Sequence, residues 1–267
     1  MSKPKQSTVK NNGEEMSLII TAEIAYQHYL KKVHYNPDNP DEKRDKLVIR
    51  ASNGGRCHRL QKYHLSPDHK PKQLTPEDMA VFRIGTVYHE EIQEGIRWLI
   101  EELNKDKTHI SVVNEGKVEI EIHGNKVEGH FDILIVDNKE KVVQLIDIKT
   151  MNPRAMSYFK KDPYSKKGYM IQLGVYAMAI QRDYPEHKLA VLLSAWDKDK
   201  GEFHEVELNT DRIVIQADNY YRELATSLDN DLDDLIPIQH PFSPIENWEC
   251  NYCPYNHICP SPKIKRI

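Results

Sequence analysis

Two carboxylates and a lysine make up the part of this sequence best suited to chemistry. In VVQLIDIKT, Asp147 and Lys149 stand two apart, so on an extended strand both leave one sheet face while Ile148 points the other way, into the core. Asp132 lies just upstream in VEGHFDILIV, and a hairpin through DNKEK brings it opposite a residue around 145–147. Two carboxylates on adjacent strands repel unless a cation sits between them, and oxygen ligands of this kind suit Mg²⁺ or Mn²⁺. Such an ion polarises a phosphodiester and acidifies a bound water, with Lys149 placed to orient the nucleophile or neutralise developing phosphorane charge. Upstream, GTVYHEEI sets Gly85 and His89 one helical turn apart, the glycine opening space beside an imidazole that suits Mn²⁺ better than Mg²⁺. Downstream, YMIQLGVYAMAI presents Gln172 and Tyr176, an amide and a phenol, on one helix face.

The second constellation is sulfur. The opening MSKPKQSTVKNNGEEMS is polar and lacks the apolar centre of a signal peptide, which predicts a disordered tail over 1–17 and a cytoplasmic, reducing location. Four cysteines there are read as ligands rather than disulfides. Cys250, Cys253 and Cys259 stand as C-x2-C-x5-C, and Cys57 stands far upstream. Three thiolates plus one distant partner form a four-ligand site that pins a C-terminal segment, 237–267, back on Cys57. Tetrahedral Zn²⁺ and a [4Fe–4S] cluster are both chemically allowed, with His58 and His257 as spare ligands for zinc.

The elements that must position these residues follow from periodicity. Thr21 to about Val33 reads as a helix with Tyr26, Tyr29, Leu30 and Val33 on one face, followed by a Pro/Asp/Asn-rich connection. A second helix starts near Gly55. Thr75, Pro76, Glu77 and Asp78 supply a capping hydroxyl, a first-turn proline and first-turn acids for a helix to about Leu103. Val118, Ile120 and Ile122 then alternate with polar residues, and Gly124–Asn125 turns the chain into a strand from Val127 to Val136. Val142 to Lys149 is a more central strand. A helix over 169–183, strands at 189–196 and 202–208, and a helix from Asp211 to about Ser227 complete an α/β core over 18–236 with an N-terminal helical part.

The basic stretch PRAMSYFKKDPYSKKGY follows the Asp147/Lys149 strand. Arg154, Lys160, Lys161, Lys166 and Lys167 would meet phosphates there, and the interleaved Tyr158, Phe159, Tyr164 and Tyr169 would stack on unpaired bases. The global charge of −4 gives no such signature, so the argument is local. No apolar run approaches the roughly 20 residues that span a bilayer, so no membrane partner is expected.

Taken in order, Gly85/His89, Asp132, Asp147/Lys149 and Gln172/Tyr176 resemble the RecB-like branch of the PD-(D/E)XK nucleases, with its helical G-x-x-x-H, strand Asp, acid-x-Lys strand and Q-x-x-x-Y helix. Two positions depart from the usual pattern: Phe131 replaces the proline before the first acid, and Asp147 stands where Glu is more common, both frequent variations that keep the carboxylates. The placement of the cysteines, one before the histidine helix and three after the Q-x-x-x-Y helix, is similar to the iron–sulfur members, including the CRISPR-adaptation and AddB types. The resemblance implies a restriction-endonuclease-like core, a mixed β-sheet flanked by helices. It implies a metal ion, Mg²⁺ or Mn²⁺, at His89, Asp132, Asp147 and Ile148, the last having only its main chain to offer, and catalysis by Lys149 with the two acids. It further implies DNA contacts from Gln172 and Tyr176, and a [4Fe–4S] cluster on Cys57, Cys250, Cys253 and Cys259. The activity it implies is an exonuclease or end-processing nuclease acting on single-stranded DNA or duplex ends in recombination, repair or CRISPR adaptation. The length leaves no room for a helicase, so unwinding falls to a partner, and a helicase, recombinase or integrase is the partner class implied. The competing reading is a catalytically silent iron–sulfur scaffold, against which stands the retention of mutually repelling carboxylates. A restriction-type endonuclease would need a separate target-recognition domain.

Overall fold

The computed structural model of the protein describes residues 48–103, 109–229 and 247–259, and also 10–11, 14–15, 26 and 29–30. Its elements run β1 (Ile49–Arg50), α1 (His58–Leu65), α2 (Pro76–Leu103), β2 (Ile110–Ile122), β3 (Asn125–Asp137), β4 (Val142–Met151), α3 (Pro153–Lys161), α4 (Lys167–Asp183), β5 (Lys188–Asp197), β6 (Glu202–Leu208), α5 (Thr210–Leu228) and α6 (Asn247–Asn251). The chain divides into two compact units, Met1–Arg44 with Leu74–Ile84, and Asp45–Gln73 with Gly85–Ile267.

In the first unit, Lys10–Asn11 and Glu14–Glu15 pair as a short antiparallel ribbon within the segment expected to lack structure. Of the helix expected over 21–33, Tyr26, Tyr29 and Leu30 are helical and the remainder lies outside the described residues, as does most of the connection after it. The start of α2 is held by a reciprocal cap: Thr75 N donates to Asp78 Oδ2 at 3.0 Å, and Asp78 N donates to Thr75 Oγ1 at 3.2 Å.

The second unit is a mixed sheet in the order β1-β3-β4-β5-β6, with β2 also paired to β3. The β4/β5 pair is parallel, and β2/β3, β3/β4 and β5/β6 are antiparallel. One face packs Leu134, Val136, Val143, Leu145, Val191 and Leu193 against α4 and α5. Ile133, Ile146 and Ile148 face the other way, against Ile92 and Ile96 of α2. Each such aliphatic side chain contributes about 1.5–3 kcal/mol when removed from water. The two helices of the first face cross closely because position 174 is glycine: a Cβ there would lie 2.3 Å from the Ile213 carbonyl oxygen.

Three elements differ from the sequence reading. The β2–β3 turn is His123–Gly124, both with positive φ (50° and 76°), while Asn125 already pairs with Ile122. Asn125 is instead buried, its Nδ2 donating to the Ile122 and Tyr221 carbonyls at 3.2 and 3.3 Å. The basic stretch, given no element by its periodicity, is largely helical. Asn152 caps α3 by accepting from Ala155 N at 2.8 Å, Pro153 opens it, and Met156 and Phe159 bury one face, leaving the cations on the other. Finally, residues 230–246 and 260–267 of the cysteine-bearing C-terminal segment lie outside the described residues, and α6 lies between them.

Candidate active site

The site begins where the sheet forks. Along one edge β3 pairs with β2 from Ile110↔Asp137 to Ile122↔Asn125. Its other edge is shared: β1 takes Val127 and Glu128, and β4 takes Ile133 to Asp137. Between them, residues 129–132 have no strand partner on that side, and side chains supply what the ladder does not. Asp132 Oδ2 accepts from Ile148 N at 2.6 Å, and the Tyr176 hydroxyl donates to the His130 carbonyl at 2.8 Å. Gln172 Nε2 donates to the same hydroxyl at 3.0 Å. Gly129 makes room for this plug, since a Cβ there would stand 2.8 Å from Tyr176 Cε1 and 2.9 Å from Ala51 Cβ. The Ile133↔Ile146 pair puts Asp132 and Asp147 next in register, where the sequence placed them.

Asp147 is 1% exposed, and apart from Lys149 Nζ at 2.7 Å from Oδ2 no donor among the described residues reaches its oxygens. Burial pushes its carboxyl up to about 6, against the pull of Lys149. Burial also opposes the charge of Lys149, but Asp147 and Asp132 outweigh it and hold the ammonium well above the ordinary lysine range. The Lys149 ammonium lies 5.3 Å over the Tyr169 ring. From α2, His89 Nδ1 comes to 3.6 Å from Asp132 Oδ1. Burial opposes protonation of His89, yet the Asp132 carboxylate beside it raises the imidazole above its ordinary value. Asp132, whose burial works the other way, is held low by His89 and Lys149. Gly85 is not a steric necessity, because a Cβ there would meet only Thr150 Oγ1, at an ordinary 3.7 Å.

Glu115 joins this group, although nothing in its sequence context singles it out. The ladder omits it between Asn114↔Ile133 and Gly116↔Phe131, where its φ is 52°, but the register is the same on both sides, so it stands opposite Asp132. His89, Glu115 and Asp132 each present a ligand atom, all within 4.8 Å of one another. Buried Gln93, one turn beyond His89, donates Nε2 to Glu115 Oε1 at 2.6 Å and to the Asp132 carbonyl at 3.2 Å. An imidazole and three carboxylates, that of Asp147 included, make a donor set that fits Mg²⁺ or Mn²⁺. Ile148, buried and with its N–H given to Asp132, has its carbonyl to add.

Around this centre, Arg154, Lys160, Lys161 and Lys167 are exposed and Lys166 is half-buried, while Lys160 sits 4.0 Å from Glu202. Of the aromatics expected to stack on bases, Tyr158 is exposed, whereas Phe159 is core. The Tyr164 hydroxyl accepts from Asn209 N at 2.8 Å, beneath the Arg212 guanidinium.

The four cysteines converge from both ends of the second unit. Cys57, Cys253 and Cys259 pack on Leu60, Tyr63 and Tyr255, with the two tyrosine rings stacked at 5.4 Å. The segment 247–259 is tied in by Lys72 N donating to the Pro254 carbonyl at 2.7 Å and folds on itself through Cys259 N donating to the Tyr255 carbonyl at 3.0 Å. Burial pushes the Cys57 thiol up to about 11, against the Leu60 and Arg59 main-chain N–H groups, with Cys253 and Cys259 adding to the rise. Cys250 and Cys253 are raised by burial too, and then by neighbouring thiols. Four neighbouring cysteines, with main-chain N–H groups directed at the Cys57 sulfur, fit a four-thiolate metal centre. Of the spare ligands, His58 turns to Ser227 Oγ at 2.6 Å, and His257 is exposed.

A family model for the PD-(D/E)XK nuclease superfamily matches residues 26–260. No curated protein matches the chain. Among solved structures, it is similar to that of SSO0001, with a TM-score of 0.47 and 19% identity over 91% of this chain and 98% of that one. A crystal structure from Eubacterium rectale, described as that of a candidate exonuclease, gives a TM-score of 0.46 and 12% identity over 80% of this chain and 88% of that one.

Proposed function

We propose that this chain, which belongs to the PD-(D/E)XK nuclease superfamily, is a divalent-metal-dependent DNA exonuclease or end-processing nuclease. The observation that carries the reading is Asp147: a buried carboxylate with one cationic partner and no other donor, beside Asp132 at a fork in the sheet. A group in that state calls for a cation. In this reading His89, Asp132, Asp147 and the Ile148 carbonyl hold Mg²⁺ or Mn²⁺, with Glu115 alongside. Bound there, the ion supplies Lewis acidity toward a phosphodiester oxygen and a lowered pKa for an attacking water.

The chain's own residues do the rest. Lys149, kept protonated by two carboxylates, directs an ammonium at charge developing on the phosphorus oxygens. Asp132 spans the fork through Ile148 N, so the two acids keep a fixed separation. Tyr176, buried and bonded to the His130 carbonyl, is a positioning residue, and Gln172 beside it is the member of that pair within reach of solvent and DNA. Arg154, Lys160, Lys161, Lys166 and Lys167 neutralise the backbone of the strand being cut. The four cysteines hold a [4Fe–4S] cluster, with Zn²⁺ as the alternative occupant, and pin 247–259 to the start of α1.

Cleavage of linear and covalently closed circular DNA, single- and double-stranded, with Mg²⁺ or Mn²⁺ tests the reading. It expects linear molecules to be shortened progressively while closed circles survive. Cutting of circles at the same rate would make the enzyme an endonuclease, and DNA binding without cutting would favour the silent scaffold. Among the described residues no helix is long and apolar enough to cross a membrane.

A further inference from the structure

Arg59 is 5% exposed, yet no carboxylate among the described residues lies within ion-pair distance of it. Among the described residues the one side-chain hydrogen bond its guanidinium makes is from Nη1 to Cys259 Sγ at 3.8 Å, and Nε is buried with no acceptor. A guanidinium stays charged at any pH a protein meets, so burying it beside thiols leaves its charge without a counterion and Nε unanswered. Arg56 adds a second positive charge within electrostatic reach of Cys253. Glu249 lies within electrostatic reach of Cys250, but it makes no ion pair with Arg59, whose charge facing sulfur suits an anion.

We propose that Arg59 is the counter-cation of an anionic four-thiolate metal centre on Cys57, Cys250, Cys253 and Cys259, and is the residue that makes closure of 247–259 depend on the metal. The proposal rests on the reading of those cysteines as a metal site and adds the charge of what they hold. On loading, each thiol releases its proton to solvent and its sulfur binds metal. Four thiolates around Zn²⁺, or around a [4Fe–4S]²⁺ core, leave a net charge of about −2 in either case. Arg59, directed at the Cys259 sulfur from the helix that follows Cys57, spans the two chain segments that supply the ligands. In the loaded protein it joins them by a charge-assisted contact; in the stripped protein it is a buried charge without a counterion, which favours release of the segment.

The test uses the full chain as wild type, Arg59→Met, which keeps the apolar stem, and Arg59→Lys, which keeps the charge. Each is loaded with Zn²⁺ or, anaerobically, with equal amounts of Fe²⁺ and Fe³⁺ and with sulfide, and metal content, the rate of metal loss to a chelator and melting of loaded and stripped forms are read. Arg59→Met is expected to lose metal roughly 10-fold faster or more, as supporting groups around metal sites usually do. Its stripped form should melt no lower than stripped wild type, and Arg59→Lys should fall between. Retention at the wild-type rate, or an equal drop in melting temperature for loaded and stripped Arg59→Met, overturns the proposal, the latter because it marks a packing role alone. A wild type that takes up neither metal overturns the four-thiolate reading itself, separately from any difference among variants.

Discussion

The two candidate metal regions are built on opposite principles. The carboxylate site is made by the sheet: Asp132, Asp147 and Lys149 are fixed by strand register, and Glu115 by a left-handed residue within the same register, with the gap at the fork closed by protein hydrogen bonds from Tyr176 and Ile148. The cysteine site has three buried apolar side chains beneath it and draws its ligands from positions nearly the length of the unit apart. One is preorganised before any ion arrives, as rate enhancement by fixed charges requires. The other has the Cys57 thiol held protonated by burial and a guanidinium facing the Cys259 sulfur, so in the proposed reading its order is coupled to occupancy.

That contrast can be broken in graded steps. The largest effect expected is on activity at the preorganised site: Lys149→Ala should lower the cleavage rate by roughly 10²–10³-fold, the loss typical of one electrostatic stabiliser. Circular dichroism should meanwhile report an intact sheet. At the cysteine site Cys253→Ser should abolish stoichiometric metal loading and expose 247–259 to proteolysis, while β2–β6 keep near-native hydrogen-exchange protection; loss of protection throughout would erase the distinction between the regions. Tyr176→Phe leaves the His130 carbonyl unpaired at the fork and should cost about 1–3 kcal/mol in denaturant unfolding. Smallest, Glu115→Gln should raise the Mn²⁺ concentration needed for half-maximal cleavage about 10-fold with little change at saturation. No change in that dependence would remove Glu115 from the site.

Much of this was legible in the sequence, for physical reasons. The i, i+2 spacing of Asp147 and Lys149 and the short DNKEK turn constrain face and register, so counting placed Asp132 opposite a residue around 145–147, and the Ile133↔Ile146 pair puts Asp147 next to it. The Thr75–Asp78 cap marked the start of α2 in the same way. Glu115 stayed hidden because Asn-Glu-Gly reads as the end of a strand rather than as a left-handed break inside one, and its partner Gln93 is identified by tertiary contact alone. The α3 helix was masked by its cations, although Asn152–Pro153 and the Met156/Phe159 spacing carry its signal. The fork in β3 leaves no local trace: it is a consequence of β1 and β4 competing for one edge.

The central claim is that Asp132 and Asp147 form a hydrolytic metal site, and the most direct measurement is cleavage of end-labelled DNA across a Mn²⁺ titration by wild type, Asp132→Asn and Asp147→Asn, with melting recorded at each concentration. The account predicts wild-type cleavage that needs the ion and stops with chelator, a rise in wild-type melting temperature with Mn²⁺, and neither response in the two variants. Chelator-resistant cleavage, or a folded Asp147→Asn that cuts as fast as wild type, would contradict it.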